Sequence, residues 1–226
     1  MKYYAAVFFL FLGSCLSNRL YWIDVDEAPK ARTVILTSPQ RWYPLPQGVN
    51  HDFPQLFSEL KSSWEKTGKE LTLARLESTT LARVVYIPAD NLSEPNADPE
   101  KPTVCDQQTA RMFESGDADY MLIPYVIFLA NRKGMLYGTT GNYQNHYCPN
   151  QDFDSLKFNY ILINRNCQIA VLDQPYDFSL SYIKVEPGIF ERECRAEKIE
   201  KLDLERVFKV GKEFFEALKL LRAHNK

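Results

Sequence analysis

The sequence predicts an α/β (α+β) domain: a single mixed β-sheet with packed helices and a long C-terminal amphipathic helix. Three observations lead there. Short β-branched runs alternate with helix-period segments through the first half of the chain. Tyr120 to Leu129 is a continuous apolar run, the pattern of a central strand covered on both faces. Asp203 to Ala223 repeats apolar residues at spacings of three and four, the stripe of a helix lying on a sheet.

The elements follow in order. Thr33-Val34-Ile35-Leu36-Thr37 reads as the first strand, and Pro39 with the loop Arg41-Trp42-Tyr43-Pro44-Leu45-Pro46 ends it. Asn50 to Thr67 reads as a helix. Asp52 caps it, Pro54 sits in its first turn, Phe53, Leu56, Phe57, Leu60 and Trp64 form one apolar face, and Gly68 closes it. Lys69 to Thr80 fits either a second helix or a strand. Leu81 to Pro88 is the second strand, and Ala89 to Thr103 is a surface loop rich in Pro and Asn. Val104 to Ser115 is a short helix with Thr103 as cap and Ala110 and Phe113 turned inward. After the central strand, Asn131-Arg132-Lys133-Gly134 supplies a turn, and Met135 to Thr140 returns as a hairpin partner. Gly141 to Ser155 is polar and irregular. Phe158 to Asn164 and Cys167 to Leu172 make a second hairpin around Arg165-Asn166, and Leu180 to Val185 is a further short strand. The closing helix is capped by Asp203 and carries Leu204, Val207, Phe208, Gly211, Phe214, Phe215, Leu218 and Leu221 on its stripe.

The chain of 226 residues suits one domain, 33–226, preceded by residues 1–14 as a signal and 15–32 as a polar spacer. Tyr3 to Leu12 is an unbroken apolar run behind Lys2. As a helix it measures about 15 Å, half of a bilayer's core, which is a signal h-region and not a membrane span. Leu12-Gly13-Ser14-Cys15 then resembles a bacterial lipoprotein lipobox. The resemblance implies cleavage before Cys15 and a lipid on it, so that the body hangs from a membrane of the cell envelope. Leu16 and Ser17 lack the Asp that retains such proteins in the inner membrane, which implies the outer one. A net charge of −2 gives no surface-wide attraction to nucleic acid.

A helix followed by Gly116-Asp117-Ala118-Asp119-Tyr120 and a buried strand resembles a helix, Gly-Ala-Asp-Tyr, strand passage of envelope α/β domains. These occur in the amino-terminal domain of the Tol-Pal translocation protein, in lipoprotein activators of penicillin-binding proteins and in curli secretion lipoproteins. The resemblance implies that the glycine ends the helix and an Asp stands at the turn into the strand. It speaks to fold, since sites and not folds carry function.

Cys15 apart, four cysteines remain: Cys105, Cys148, Cys167 and Cys194. Their spacing matches no zinc motif, and an exported protein would join them in two disulfides. Three connectivities are open, with Cys105–Cys148 and Cys167–Cys194 favoured. His146 two residues before Cys148 shares one side of an extended strand, but a disulfide cysteine beside a solvent histidine is the stronger reading than a Cys–His nucleophile. Asn150, Asp152 and Asp154 mimic the start of a calcium loop, yet Ser155 and Ile161 stand where Gly and Glu are required. Asp24, Asp26 and Glu27 read as solvated spacer. His51 and His224 stand alone. The expectation is therefore a non-enzyme without metal or cofactor, bound to the membrane through Cys15 and, through its body, to another envelope protein. The alternative is a glycan or small molecule held by loop aromatics, with Trp42 and Tyr43 as contacts.

Overall fold

A computed structural model describes residues 21–22, 30–47, 51–95, 105–140, 144–186, 193–198 and 201–222. The expected signal 1–14 and Cys15 lie outside them, as do Asp24, Asp26, Glu27, Thr103 and His224. Strand β1 (Tyr21–Trp22) and β2 (Thr33–Leu36) come first. Helix α1 (Phe53–Ser63) runs through a π-helical turn at Trp64–Gly68 into α2 (Lys69–Thr80), which leads to β3 (Arg83–Tyr86). Helix α3 (Gln107–Gly116) precedes two long strands, β4 (Tyr120–Thr140) and β5 (Gln144–Asn164), then β6 (Ile169–Leu172) and β7 (Tyr176–Ser179). Strands β8 (Ser181–Glu186) and β9 (Glu193–Lys198) form a separate two-stranded sheet. Helices α4 (Leu204–Phe208) and α5 (Lys212–Ala217) and a 3-10 turn (Leu218–Leu221) close the chain.

The main sheet is mixed, as expected, in the order β1-β6-β5-β4-β2-β3 with β7 also on β5. Only β3, β2 and β4 are mutually parallel. The chain leaves β2 to one side to form β3, then recrosses it to form β4. Two right-handed crossovers in opposite directions put their helices on opposite faces. One core accordingly gathers Val34, Leu36, Tyr120, Leu122, Tyr160 and Leu162 under Phe53, Leu60, Trp64, Leu76, Phe208 and Phe214. The other gathers Ile35, Met121, Ile123, Ile161 and Ile163 under Met112 and Phe113 of α3. Alternate residues of β2, β4 and β5 thus feed different cores, which explains why these strands read as unbroken apolar runs.

Several elements differ from the expectation, each for a physical reason. Gly68 does not stop a helix: its backbone is helical (φ −62°, ψ −39°), and it is small because Phe208 presses on it. A Cβ there would meet Phe208 Cδ2 at 2.6 Å and the Trp64 ring at 2.7 Å. The ambiguous stretch 69–80 is helical and ends on a left-handed Leu81 (φ 58°). Asp106, and not Thr103, caps α3 by accepting from Thr109 N. Asn131–Gly134 is not a turn. Strand β4 runs straight through it, and its pairing with β5 shifts register between Leu129 and Arg132 and again between Gly134 and Leu136. Turn-forming residues here mark bulges, which also tolerate Gly and unpaired backbone. The polar stretch expected to be irregular after Gly141 is strand from Gln144 on.

The C-terminal stripe is not one long helix. Gly211 adopts φ 82°, and a side chain at that position would lie 3.0 Å from the Tyr160 ring. The break lets Phe208 and Phe214 enter the core from different directions, 5.9 Å from Phe158 and Tyr160 respectively. Finally, Tyr21–Trp22, inside the expected spacer, pairs with Leu172 and Val171 at the sheet edge.

Candidate functional site

The carboxyl ends of parallel strands are where open α/β sheets leave room for ligands, because the loops there diverge to either face. Here the loops after β2 and β3 are riveted together. Buried Gln40 donates through Nε2 to Ser38 O (2.9 Å) and to Ala89 O, and its Oε1 accepts from Leu92 N (3.2 Å). Ser38 Oγ donates to Ala89 O and accepts from Ala89 N (3.1 Å). Gln40 also bridges to β4, donating from N to Pro124 O (2.8 Å) and accepting from Val126 N (2.9 Å). These bonds hold the next residue, Arg41, over the first turns of α1.

A cleft of about 170 Å³ opens there, lined by Pro39, Gln40, Arg41, Phe57, Lys61, Asp90 and Asn91. Phe57 and Lys61 are one helical turn apart on α1, so they share a face. The Arg41 guanidinium lies 5.6 Å and Lys61 Nζ 5.8 Å from the centre of the Phe57 ring. Lys61 is ion-paired to Asp90. Arg41 Nη1 donates to Tyr43 O (3.1 Å), whereas its buried Nε has no acceptor among the described residues.

The expected aromatic contacts are placed differently from one another. Trp42 turns inward: its ring lies 4.3 Å from that of Tyr125 and its Nε1 donates to Leu92 O (2.7 Å). Tyr43 is 50% exposed and reaches Glu94 at 3.4 Å. Neither lines the cleft; their neighbour Arg41 does. The signal in the sequence was a cation in a Pro-bounded loop after a buried strand, facing an aromatic and a cation four residues apart on the next helix.

A second polar arrangement lies deeper. His51 Nδ1 is 3.2 Å from Asp154 Oδ2, with the two side chains 7% and 0% exposed. His51 Nε2 has no partner among the described residues. This pair accounts for Asp154 without a calcium loop, since 144–164 is strand; the side chains of Asn150 and Asp152 lie outside the described residues. His146 and Cys148 stand opposite Gly138 and Leu136 in the β4–β5 ladder, and their side chains lie outside the described residues. No three His, Cys, Asp or Glu side chains among the described residues gather as a metal site.

One disulfide is present, and it is Cys105–Cys167, with Cα atoms 5.3 Å apart. It replaces the favoured pairing of Cys105 with Cys148 and Cys167 with Cys194. Cys167 sits in the β5–β6 turn with φ 58°, next to the residue before the α3 cap, a proximity that only the tertiary fold creates. The side chains of Cys148 and Cys194 lie outside the described residues.

Fold and cleft together define an α/β domain with a small polar site at the carboxyl ends of its parallel strands. No family model and no curated protein matches the chain. Among solved structures it is similar to the PelC dodecamer from Paraburkholderia phytofirmans, with 12% identity over 91% of this chain and 96% of that one and a TM-score of 0.37. It is also similar to a putative neuraminyllactose-binding hemagglutinin homolog from Helicobacter pylori, with 12% identity over 89% and 87% and a TM-score of 0.30. At such scores neither likeness bears on function.

Proposed function

We propose that this chain is a lipid-anchored protein of a bacterial cell envelope, on the outer membrane in preference to the inner, whose body is a non-catalytic module that binds another envelope protein. The observation that carries the binding role is the β4–β5 ribbon. Each strand has 21 residues, but β2 pairs with β4 only at Tyr120–Leu122, and β6 and β7 pair with β5 only from Ser155 on. From Arg132↔Phe153 to Thr140↔Gln144 the described ladder is β4 and β5 alone, about 30 Å of two-stranded ribbon at about 3.4 Å per residue. Strand edges without partners are templates for another chain's backbone. The inward turn of Trp42 weighs against a glycan held by loop aromatics.

The Leu12–Cys15 lipobox supports the anchor, and the Cys105–Cys167 disulfide suits an oxidising compartment. Expression of the full chain in a Gram-negative host tests both halves. Intact mass of the membrane-extracted protein should carry the lipid on a chain beginning at Cys15, and Cys15→Ala should abolish it. A photo-crosslinking residue at Tyr137 or Tyr147 should give a discrete protein adduct, while one at Leu220 should not. An unlipidated mass would sink the anchor; adducts no different from those at Leu220 would sink the ribbon as docking edge.

A further inference from the structure

Tyr21 and Trp22 are fixed on the edge of the main sheet against Leu172 and Val171, and six residues lead from Cys15 to Tyr21. Six residues reach at most about 20 Å. Given the lipid on Cys15, on which this inference rests, the body therefore lies against the bilayer, and one of its surfaces faces lipid. Among the described residues the large apolar side chains at least half exposed are Tyr43 (50%), Leu81 (65%) and Leu220 (54%). Tyr43 stands in the loop after β2, at the carboxyl ends of the parallel strands. Leu81 and Leu220 stand at the opposite end. Leu81 closes α2 just before β3, and the 3-10 turn that holds Leu220 meets the start of β2. There Ala31 N donates to Leu221 O (3.0 Å) and Lys30 Nζ to Leu220 O (3.1 Å). Arg222 joins the two sites, donating to Thr79 O and to Ser78 O (2.7 Å) at the end of α2.

The fold does not account for leucine at position 81. Its φ of 58° is the helix-closing conformation that Gly takes without strain, and its side chain faces out. Five cations surround the two leucines: Lys30, Arg32, Arg83, Lys219 and Arg222, with the Arg32 side chain 84% exposed. The carboxylates described beside them are Glu77, Glu216 and Asp119. Exposed apolar side chains among an excess of cations fit the boundary between acyl chains and anionic headgroups.

We infer that this end of the molecule docks on the membrane that holds the lipid, with Leu81 and Leu220 in the bilayer interface and the cations on anionic phospholipid headgroups. Photo-crosslinking of the full chain, expressed and irradiated in a Gram-negative host, tests it. A photo-crosslinking residue at Leu220 should give phospholipid adducts by mass, and one at Tyr43, at the far end, should give none. After reconstitution into vesicles of phosphatidylethanolamine and phosphatidylglycerol, the Leu220 adduct should fall when phosphatidylcholine replaces phosphatidylglycerol or when salt is raised. Leu81→Gly should lower it by up to about tenfold, the effect of withdrawing one leucine from an apolar phase. Because Gly is at ease at φ 58°, that variant should keep the urea midpoint of the parent, so the lower yield reports docking and not folding. Equal adducts at Leu220 and Tyr43, none at Leu220, or a Leu220 yield indifferent to both headgroup and Leu81→Gly would each overturn the inference. Intact mass of the same sample separates it from the anchor reading. A lipidated chain without the Leu220 adduct removes the docking surface and keeps the anchor, whereas an unlipidated chain that still gives the adduct removes the anchor and keeps the surface.

Discussion

Asp106 concentrates more hydrogen bonds than any sequence pattern around it suggests. It caps α3 by accepting from Thr109 N (2.8 Å), and its other oxygen accepts from Thr109 Oγ1 (2.9 Å) and Ser93 N (3.3 Å), tying the β3–α3 loop to the helix start. Burial by itself raises the carboxyl's pKa; the bonds from Thr109 and Ser93 outweigh it and hold the group below its ordinary 3.8. A folded pKa below the unfolded one means stability that is fully present above the unfolded value and lost as pH falls through the folded one. Asp106→Ala should therefore cost about 1 kcal/mol at neutral pH in urea unfolding, and the difference from wild type should shrink as pH is lowered through the carboxylate range. A constant difference would contradict this account. At the same scale, Asp52 and Asp203 were readable as caps from their position before apolar periodicity, and they do accept from Gln55 N and Arg206 N. Asp106 was not, because the helix starts three residues later than its pattern suggests and Thr103 is an equally good cap by type. Asp119, at the turn into β4, accepts through Oδ2 from Arg32 N (2.8 Å) and Thr33 N (3.2 Å), fastening the starts of β4 and β2. The left-handed residue there is Asp117 (φ 42°) rather than a glycine.

Among the elements, the disulfide sets the coupling between the α3 start and the β5–β6 turn. It closes a loop of 62 residues, so the chain-entropy argument assigns it about 4 kcal/mol. Cys105→Ser and Cys167→Ser should each lower unfolding free energy by 2 to about 4 kcal/mol and the pair together by no more than either alone. Additive losses would mean that the two thiols act separately. The pairing was illegible because sequence spacing says nothing about which loops meet across α3 and β6. The hairpin partners were misjudged for a related reason. Asn131–Gly134 carries the residues of a turn and also those of a bulge, and only the partner strand decides between them. The C-terminal stripe obeyed helical period on both sides of Gly211, so its break was invisible without the Tyr160 ring that fills the space beside it.

For the molecule as a whole, the sheet carries two cores, and the β4–β5 ladder continues beyond the strands that pair with it on either side. Among the described residues, both hydrophobic cores draw on β4 from Tyr120 on and on β5 from Leu156 on; the side chains of residues 131–153 lie outside them. Replacing residues 132–152 by a two-residue turn should abolish the adduct sought from Tyr137 while leaving a single cooperative unfolding transition. Loss of the cooperative transition would show instead that the ribbon is part of the fold. Buried tyrosines add a whole-molecule pH response. Burial raises the phenol of Tyr160 to about 12, as it does for Tyr120, and Tyr86 and Tyr125 are also raised. Each favours its neutral form in the fold, so stability should be intact below pH 10 and fall between there and about 12, as read by melting temperature against pH.

By itself the sequence determined the α/β class, the first strands and helices, the second hairpin and two helix caps. These depend on local period and on side chains that satisfy their own backbone within a few residues. It also carries the Leu12–Cys15 signature on which the proposed anchor rests. Only the tertiary structure decided the cysteine pairing, the role of Gly68 and Gly211, the length of the β4–β5 ribbon and the cleft at Arg41. Each of those depends on what a distant segment brings within a few ångströms, and periodicity holds no record of it.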